Sequence, residues 1–414
     1  MTTEALTSSR LARATATLFG GNLAALLLQT TQFVLLARLL GVTEFGHVAA
    51  ANALIAITIP LAGLGYGNVM LMRVSRDRSR LRFDLGNSQL AIAVIGGALV
   101  VAVTLVARGL YGAGAQIALI GTMAIGELIL VRSLVVLGQL YQALDRVEMT
   151  SMLNTATALC RVGGVVLMML AGRHDALTWA LTSCSLMFIL VLLAQIITAR
   201  AVGLPLLDLR RLWTDRADAL HFSLGTGAKA LYTDLDKVVL ARTAMAGELG
   251  AYTAAYRLVA MSFLPVRSLL DASASHFYRR GAESLAASYA FSLRLLKVAL
   301  PYGAIVAVAI LLGAELAPYV LGASFESSVP MLRSLALLPI IQSIHYAFSD
   351  ALTAAGLQRL RTRLQWTVAL IYAVLAVVLV PRFGWHGAVG VCLGCELLLA
   401  VFIVTALRRR IRTV

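Results

Sequence analysis

Charge is scarce in this chain: 13% of its 414 residues are charged and 60% are hydrophobic, against roughly 25% and 45–50% in soluble domains. The mean hydropathy is +0.86, so water cannot be the solvent for most of its surface. Lysine is nearly absent, with Lys229, Lys237 and Lys297 alone among the 35 basic residues. The four cysteines, Cys160, Cys184, Cys392 and Cys395, all fall inside apolar runs, which excludes a disulfide framework. Cys392 and Cys395 have the spacing of a redox or metal pair, but beside Gly390 and Gly394 they read as small residues that let helices pack closely. No GxxxxGK[ST] motif occurs, which argues against direct ATP use. A short apolar stretch ending in a small-residue cleavage site is also missing near residue 1, so no removable signal peptide is expected.

What is present is a series of apolar runs about 20 residues long, the length a helix needs to cross a hydrocarbon core. Alternation in ~10-residue segments, the mark of a membrane barrel, is not found. The expected fold is all-α and polytopic, with about twelve spans at residues 15–40, 45–70, 85–107, 114–140, 150–171, 177–199, 220–242, 249–277, 292–313, 328–355, 362–382 and 386–407. The seventh carries Lys229, Asp234, Asp236 and Lys237 and is placed by the need to keep basic loops on one side. Pro60, Pro265 and Pro339 fall within spans and are expected to kink them.

The formal charge of +15 is explained by where the arginines stand. Every second connection is basic: Arg10 and Arg13; Arg73, Arg76, Arg78, Arg80 and Arg82; Arg146; Arg200, Arg210, Arg211 and Arg216; Arg279 and Arg280; Arg359, Arg361 and Arg363; and Arg408, Arg409, Arg410 and Arg412. Arg108, Arg173 and Arg382 are the exceptions. By the positive-inside rule both termini are cytoplasmic, in a multi-pass protein of a bacterial inner membrane. Anionic headgroups account for the basic tail without a nucleic-acid partner.

The chain also repeats itself. Val34-Leu-Leu-Ala-Arg38, Glu44, Gly46, Ala50, Ala51 and Leu54 recur as Val238-Val-Leu-Ala-Arg242, Glu248, Gly250, Ala254, Ala255 and Leu258, always 204 positions on. Six spans separate the copies, and an even number preserves direction, so the halves are parallel repeats. The expected organisation is residues 1–202 as an N-terminal six-helix lobe, 203–219 as a cytoplasmic linker and 220–414 as a C-terminal six-helix lobe.

An ionisable side chain inside a bilayer costs about 2.5 kcal/mol or more, so it faces a partner or a wet cavity. Glu127, Arg161, Asp234, Arg257 and Glu396 lie deepest in these spans; Lys229, Lys237, Arg132, Arg267, Asp271, Arg333, His345 and Asp350 lie nearer an end. Asp234 and Lys237, three apart on one helical face, can pair. Glu127 and Arg161 can pair across neighbouring helices. Glu396 has no evident partner on its own helix and is a candidate for a coupling proton, because burial favours the protonated carboxyl. Arg267 and Arg333 are close enough to span ends to snorkel to water.

Several segments carry a resemblance. Leu35-Leu-Ala-Arg-Leu-Leu-Gly41, Glu44-Phe-Gly46, Leu64-Gly-Tyr-Gly67 and Arg73 resemble the opening of the polysaccharide-transporter (Wzx-type) flippases. Tyr232-Thr-Asp234-Leu-Asp-Lys-Val-Val-Leu240, followed by Gly250-Ala-Tyr252-Thr-Ala-Ala-Tyr256-Arg257 and Pro265, resembles that family's seventh and eighth helices. The resemblance implies the multidrug/oligosaccharidyl-lipid/polysaccharide exporter fold, two six-helix lobes forming a V around a central cavity. It further implies a transporter rather than an enzyme, without cofactor or metal. Its substrate would be a polyprenyl-pyrophosphate-linked oligosaccharide moved to the outer leaflet, with membrane lipids, a coupling proton or Na⁺, and other proteins of polysaccharide assembly as partners. Pyrophosphate needs fixed positive charge, which the Arg fork supplies well. Arg257 and Arg161 are therefore the first candidates for that contact, with Lys229, Lys237 and Arg267 extending the basic lining. Tyr252 and Tyr256 can stack on sugars or pack helices. Asp234, Glu127 and Glu396 are the candidate coupling or cavity carboxylates. The competing readings are an ion-coupled drug or small-solute antiporter of the same fold and, more distantly, a membrane enzyme of envelope glycan synthesis.

Overall fold

The computed structural model describes residues 2–412 other than 113, and their side chains except those of residues 2–23, 115, 221, 224–226 and 275. Arg10 and Arg13, two of the arginines used for orientation, lie outside the described side chains. Every regular element among the described residues is helical. Among the described residues seven segments are long and apolar enough to cross a membrane: Ala24–Leu61, Arg78–Tyr111, Gln116–Ala143, Val147–Leu170, Ala176–Val202, Leu285–Leu321 and Gln358–Arg412. An eighth is the pair Ser328–Ser334 and Leu338–Ala354, bent by 42°.

The difference from the twelve expected spans has physical causes. The helix Gln358–Arg412 holds two of them, because Gly384 breaks it with φ 56°. At about 1.5 Å per residue an unbroken helix would set Leu379 and Gly387 more than a full turn apart. Instead a Cβ added to Gly387 would stand 2.6 Å from the Leu379 carbonyl, so the chain doubles back. Gly41, with φ 69°, likewise breaks the first helix, α1 (Thr2–Thr58). The seventh and eighth expected spans fall short for another reason. Arg216–Thr243 carries too many charged side chains, and Ala246–Ser262 has only 17 residues before it ends at Phe263.

The chain forms two compact units. The first comprises residues 1–40 and 54–227. In it, α2 (Tyr66–Val74) and α3 (Leu81–Ala91) precede a π-helical turn, Ile92–Gly96, that runs into α4 (Gly97–Tyr111). Next come α5 (Ala115–Ile125), a second π turn at Gly126–Val131, and α6 (Arg132–Ala143). The unit continues with α7 (Val147–Leu170), α8 (Ala176–Val202), the short α9 (Leu209–Thr214) and the start of α10 (Arg216–Thr243). Small residues bring α7 and α8 together, with Gly164 directly against Ser183, the close approach that lets helices associate where no hydrophobic driving force exists. The corners are capped by acids: Asp77 accepts from the hydroxyl and N–H of Ser79, and Asp175 from the N–H and hydroxyl of Thr178. These hydrogen bonds favour the ionised form and hold both carboxyls below the ordinary range.

The second unit comprises residues 41–53 and 228–414. It contains the rest of α10, α11 (Ala246–Ser262), α12 (Leu264–Ala272), α13 (Ala274–Glu283), α14 (Leu285–Gly313), α15 (Ala317–Leu321), α16 (Ser328–Ser334), α17 (Leu338–Ala354) and α18 (Gln358–Arg412). Helix α17 lies between α14 and α18. Ser292 Oγ reaches the Ala347 carbonyl at 3.0 Å, joining α14 to α17 through a buried hydroxyl. Proline stands at three of the helix breaks: Pro265 opens α12, Pro339 opens α17, and Pro60 sits in the 3₁₀ turn Ile59–Leu61. At the first helical positions its missing N–H costs nothing.

Within this unit the sequence repeat becomes a reciprocal contact. A Cβ on Gly46 would overlap the carbonyl oxygen of Ala246, and a Cβ on Gly250 would overlap that of Val42. Both pairs obey the repeat offset, so segment 41–53 packs on its own counterpart in α11 about a local two-fold. Glu248 closes a further corner by accepting the Trp385 N–H at 2.9 Å, where Gly384 breaks α18. Gly46→Ala or Gly250→Ala is therefore expected to cost about 1–3 kcal/mol or more by overpacking. Thermal unfolding of the detergent-purified protein would show it as a lower Tm and folded yield, while Gly97→Ala, which meets nothing within 4 Å, leaves both unchanged.

Candidate functional site

In the second unit α10 carries three successive ionisable positions into the interior. Asp236 is completely buried, Lys237 almost so, and the Asp234 side chain is 19% exposed. Such charges persist in an apolar setting only when paired and hydrogen-bonded. Lys237 Nζ lies 3.4 Å from Asp236 Oδ1 and 3.6 Å from Asp234 Oδ1, and it also donates to the Thr233 carbonyl. Its remaining side faces the Tyr256 ring at 4.1 Å, a cation–π contact. Tyr252 donates its hydroxyl to Asp236 Oδ2 at 2.5 Å.

The i, i+3 pair read from the sequence is thus present, but inside a larger knot. Tyr252 is wholly buried, so its ring is spent on Asp236 and on packing rather than presented to a sugar. Lys237 is likewise enclosed, where the sequence had placed it on a basic lining. Asp236 is the partner that sequence reasoning missed. It lies on the same helix as Asp234 and on a different side, and nothing in the spacing links it to Tyr252 on α11.

A second polar group joins α17 to α18. Glu396 accepts from Gln342 Nε2 at 3.1 Å and stands 2.8 Å from His345 Nδ1. At that distance the two side chains are in direct polar contact. Both side chains are at most 8% exposed. Glu396, for which the sequence offered no partner on its own helix, therefore has two on α17.

The open edge of this network centres on a residue the sequence had not singled out. Tyr346, half-buried beside His345, has Lys229 Nζ 5.3 Å and Arg267 Cζ 5.2 Å from its ring centroid. Lys229 is exposed and Arg267 is 39% exposed. Arg267 is held by both oxygens of Asp271, at 2.8 and 3.2 Å. Arg257 is half-buried on α11 and engaged with neighbouring groups.

In the first unit Arg161 on α7 binds Glu127 at 2.6 Å. Glu127 sits on the π turn, which widens the helix and re-aims side chains. That turn packs on the other one, since a Cβ on Gly96 would come within 2.7 Å of the Leu128 carbonyl. The pair expected between neighbouring spans is therefore formed, and Arg161 is committed to a carboxylate. One turn further on, Arg132 donates to the Ile59 carbonyl at 3.1 Å beside a cavity of about 220 Å³ that Asn68 and Gln139 also line. Among the described residues no cluster of three or more His, Cys, Asp or Glu could hold a metal ion.

Residues 11–269, more than half of the chain, match the model of a family described as polysaccharide biosynthesis protein. The chain belongs to that family. The solved structures similar to it are transporters. An inward-facing multidrug resistance MATE family transporter of the MOP superfamily matches at 16% identity and TM-score 0.72, over 94% of this chain and 98% of that one. The MATE multidrug transporter DinF-BH, solved as a complex, matches at 13% identity and TM-score 0.67, over 99% and 97%. A MOP superfamily transporter from Pyrococcus furiosus, described as having a binding pocket of reverse polarity, matches at 15% identity and TM-score 0.57, over 98% and 94%. A search of curated proteins finds no match. At these identities the likeness establishes the fold, so this member of the polysaccharide biosynthesis family is an all-helical, multi-pass membrane protein with the two-lobed MATE-like transporter fold.

The Arg161–Glu127 pair gives a direct test. Arg161→Gln leaves a carboxylate uncompensated and Glu127→Gln leaves a guanidinium so, whereas the double variant removes both charges. Partial exposure lowers the penalty below the 3–5 kcal/mol typical of buried pairs. Each single variant is expected to melt lower than the double variant in detergent; equal melting of all three would show that the pair carries no stability.

Proposed function

We infer that the protein is a flippase that moves a polyprenyl-pyrophosphate-linked oligosaccharide from the cytoplasmic to the outer leaflet of the inner membrane by alternating access. The observation that carries this reading is the edge formed by Lys229, Tyr346 and Arg267 in a chain of the polysaccharide biosynthesis family. Two cations flanking an aromatic face combine what a glycosyl pyrophosphate presents: anionic oxygens for the cations and a sugar face for the ring. Arg257, half-buried on the helix that carries Tyr252 and Tyr256, supplies further positive charge to the same unit. Arg161 can contribute only by exchanging Glu127 for substrate phosphate.

Orientation follows from the arginine distribution, with both termini cytoplasmic and residues 203–219 linking two six-helix lobes on that side. Energy for the cycle comes from a proton or Na⁺ or from the membrane potential, with Asp234, Glu127 and Glu396 as the carboxylates that could respond. Other proteins of polysaccharide assembly would supply and remove the lipid-linked glycan.

A second reading, an ion-coupled drug antiporter, is favoured by the multidrug transporters among the structural relatives. It requires a cationic or neutral cargo, which the Lys229 and Arg267 edge disfavours.

In cells that depend on this protein, Arg257→Ala and Lys229→Ala are each expected to lower surface polysaccharide about tenfold or more, the value of a lost charge-assisted contact, with protein abundance intact. Normal export by a well-expressed Arg257→Ala variant would remove that residue from the site. Purified protein in liposomes decides between the readings. The flippase exposes lipid-linked glycan in the opposite leaflet, whereas an antiporter leaves it in place and extrudes organic cations against an ion gradient.

A further inference from the structure

Residues 203–215 join α8 to α10, and their inner side is tied down at several points. Asn87 forms two hydrogen bonds with the Asp208 backbone, both 3.0 Å. The Leu206 N–H donates to the Arg82 carbonyl at 2.9 Å, and Arg82 Nε donates to the Leu204 carbonyl at 2.8 Å. Tyr66 donates its hydroxyl to the Leu212 carbonyl at 2.7 Å, and Arg73 pairs with Asp215. A segment fixed this firmly has no need to leave apolar side chains in water. Yet Leu204, Leu207, Leu209 and Trp213 are 68, 59, 63 and 69% exposed.

Leu209 and Trp213 stand four apart on α9 and so share one face. The other face carries Leu212, packed against the small cluster of Tyr66, Val69, Ala91 and Ala219. Charge divides the same way. Asp208 is taken by Arg211 at 3.0 Å and Asp215 by Arg73, so the segment's acids are consumed internally. Arg210 and Arg216 have no carboxylate partner among the described residues, and the Arg216 guanidinium stacks on the Trp213 ring at 4.2 Å. The outward side is therefore leucine, tryptophan and unpaired arginine.

We propose that residues 204–216 dock on anionic lipid, with Leu204, Leu207, Leu209 and Trp213 entering the headgroup layer and Arg210 and Arg216 meeting lipid phosphates. Location and charge select this occupant. The segment begins directly after α8, a membrane-crossing helix whose last turns expose Ile196 and Ile197, so its apolar side continues a lipid-facing surface into the interface. Tryptophan with adjacent arginine is the composition that settles at that depth, and unpaired arginines near the surface are drawn to acidic headgroups. The segment thus pins the α8–α10 connection of the first unit to one leaflet. This docking is independent of which cargo the protein moves.

The test uses the full chain in nanodiscs of phosphatidylcholine alone or mixed with phosphatidylglycerol. In a variant with Trp179→Phe, Trp366→Phe and Trp385→Phe, Trp213 is the sole reporter. Its emission is expected to be blue-shifted, quenched by lipids brominated near the headgroup and shielded from iodide, most strongly with phosphatidylglycerol. Arg210→Gln with Arg216→Gln should raise severalfold the phosphatidylglycerol fraction needed for half-maximal quenching. Red-shifted, iodide-quenched emission in both lipids overturns the proposal, and quenching indifferent to phosphatidylglycerol overturns its anionic specificity. If the triple variant does not fold, hydrogen exchange on the native chain serves instead. Amides of residues 204–214 should exchange more slowly with phosphatidylglycerol present, and equal exchange in both lipids counts against docking. Protection that appears only on adding a cell extract, never with lipid alone, would assign the surface to a protein and overturn the proposal.

Discussion

The energetic cost of an ionised side chain in an apolar interior governs most of what is specific in this molecule. An isolated charge at the centre of a bilayer costs about 2.5 kcal/mol or more, and the chain has answered that cost locally in each unit. Lys237 lies between two aspartates and against a tyrosine face, Glu396 between Gln342 and His345, and Arg161 against Glu127. Such arrangements add little net stability over a well-packed apolar core. On helices otherwise built of Leu, Val and Ala, they instead fix how neighbouring helices face one another, since breaking one pair strands a buried charge.

The helix breaks follow a related logic. A continuous helix satisfies its own backbone, so a break inside apolar surroundings needs replacement partners. At Gly384 the Glu248 carboxylate takes the Trp385 N–H. At Pro60 the carbonyl receives the Ser223 hydroxyl at 2.6 Å. Both of these breaks are thus anchored by a side chain from another helix, and the reciprocal fit of Gly46 and Gly250 against Ala246 and Val42 shows that the duplication supplied its own packing partner.

The helical class, the apolar runs and the repeat were legible because each is a local or periodic property of the chain. The Asp234–Lys237 pair was legible for the same reason, being one helical turn. Neighbouring spans made Glu127 and Arg161 a natural pair. What could not be read depends on tertiary register. Asp236 meets Tyr252, and Glu396 meets His345, across helices whose rotation no spacing reveals. Tyr346 becomes prominent only when Lys229 from α10 and Arg267 from α12 converge on it. The twelve expected spans do not appear as twelve separate crossing helices, because α10 carries many charges, α11 ends after 17 residues, and α18 runs through the break at Gly384.

The buried network of the second unit has a consequence for the energy source of the proposed flippase. Asp234 and Asp236 are met by Lys237, and Glu396 by Gln342 and His345, whereas Lys229 and Arg267 flank Tyr346 at the edge of the network. In the proposed flippase a substrate pyrophosphate would enter at that edge, so the buried carboxylates keep their partners while the anion meets the edge cations. An anion leaving a cytoplasm held negative gains about 2.3 kcal/mol per charge per 100 mV, so the membrane potential acting on the pyrophosphate is the drive that the arrangement of charges favours.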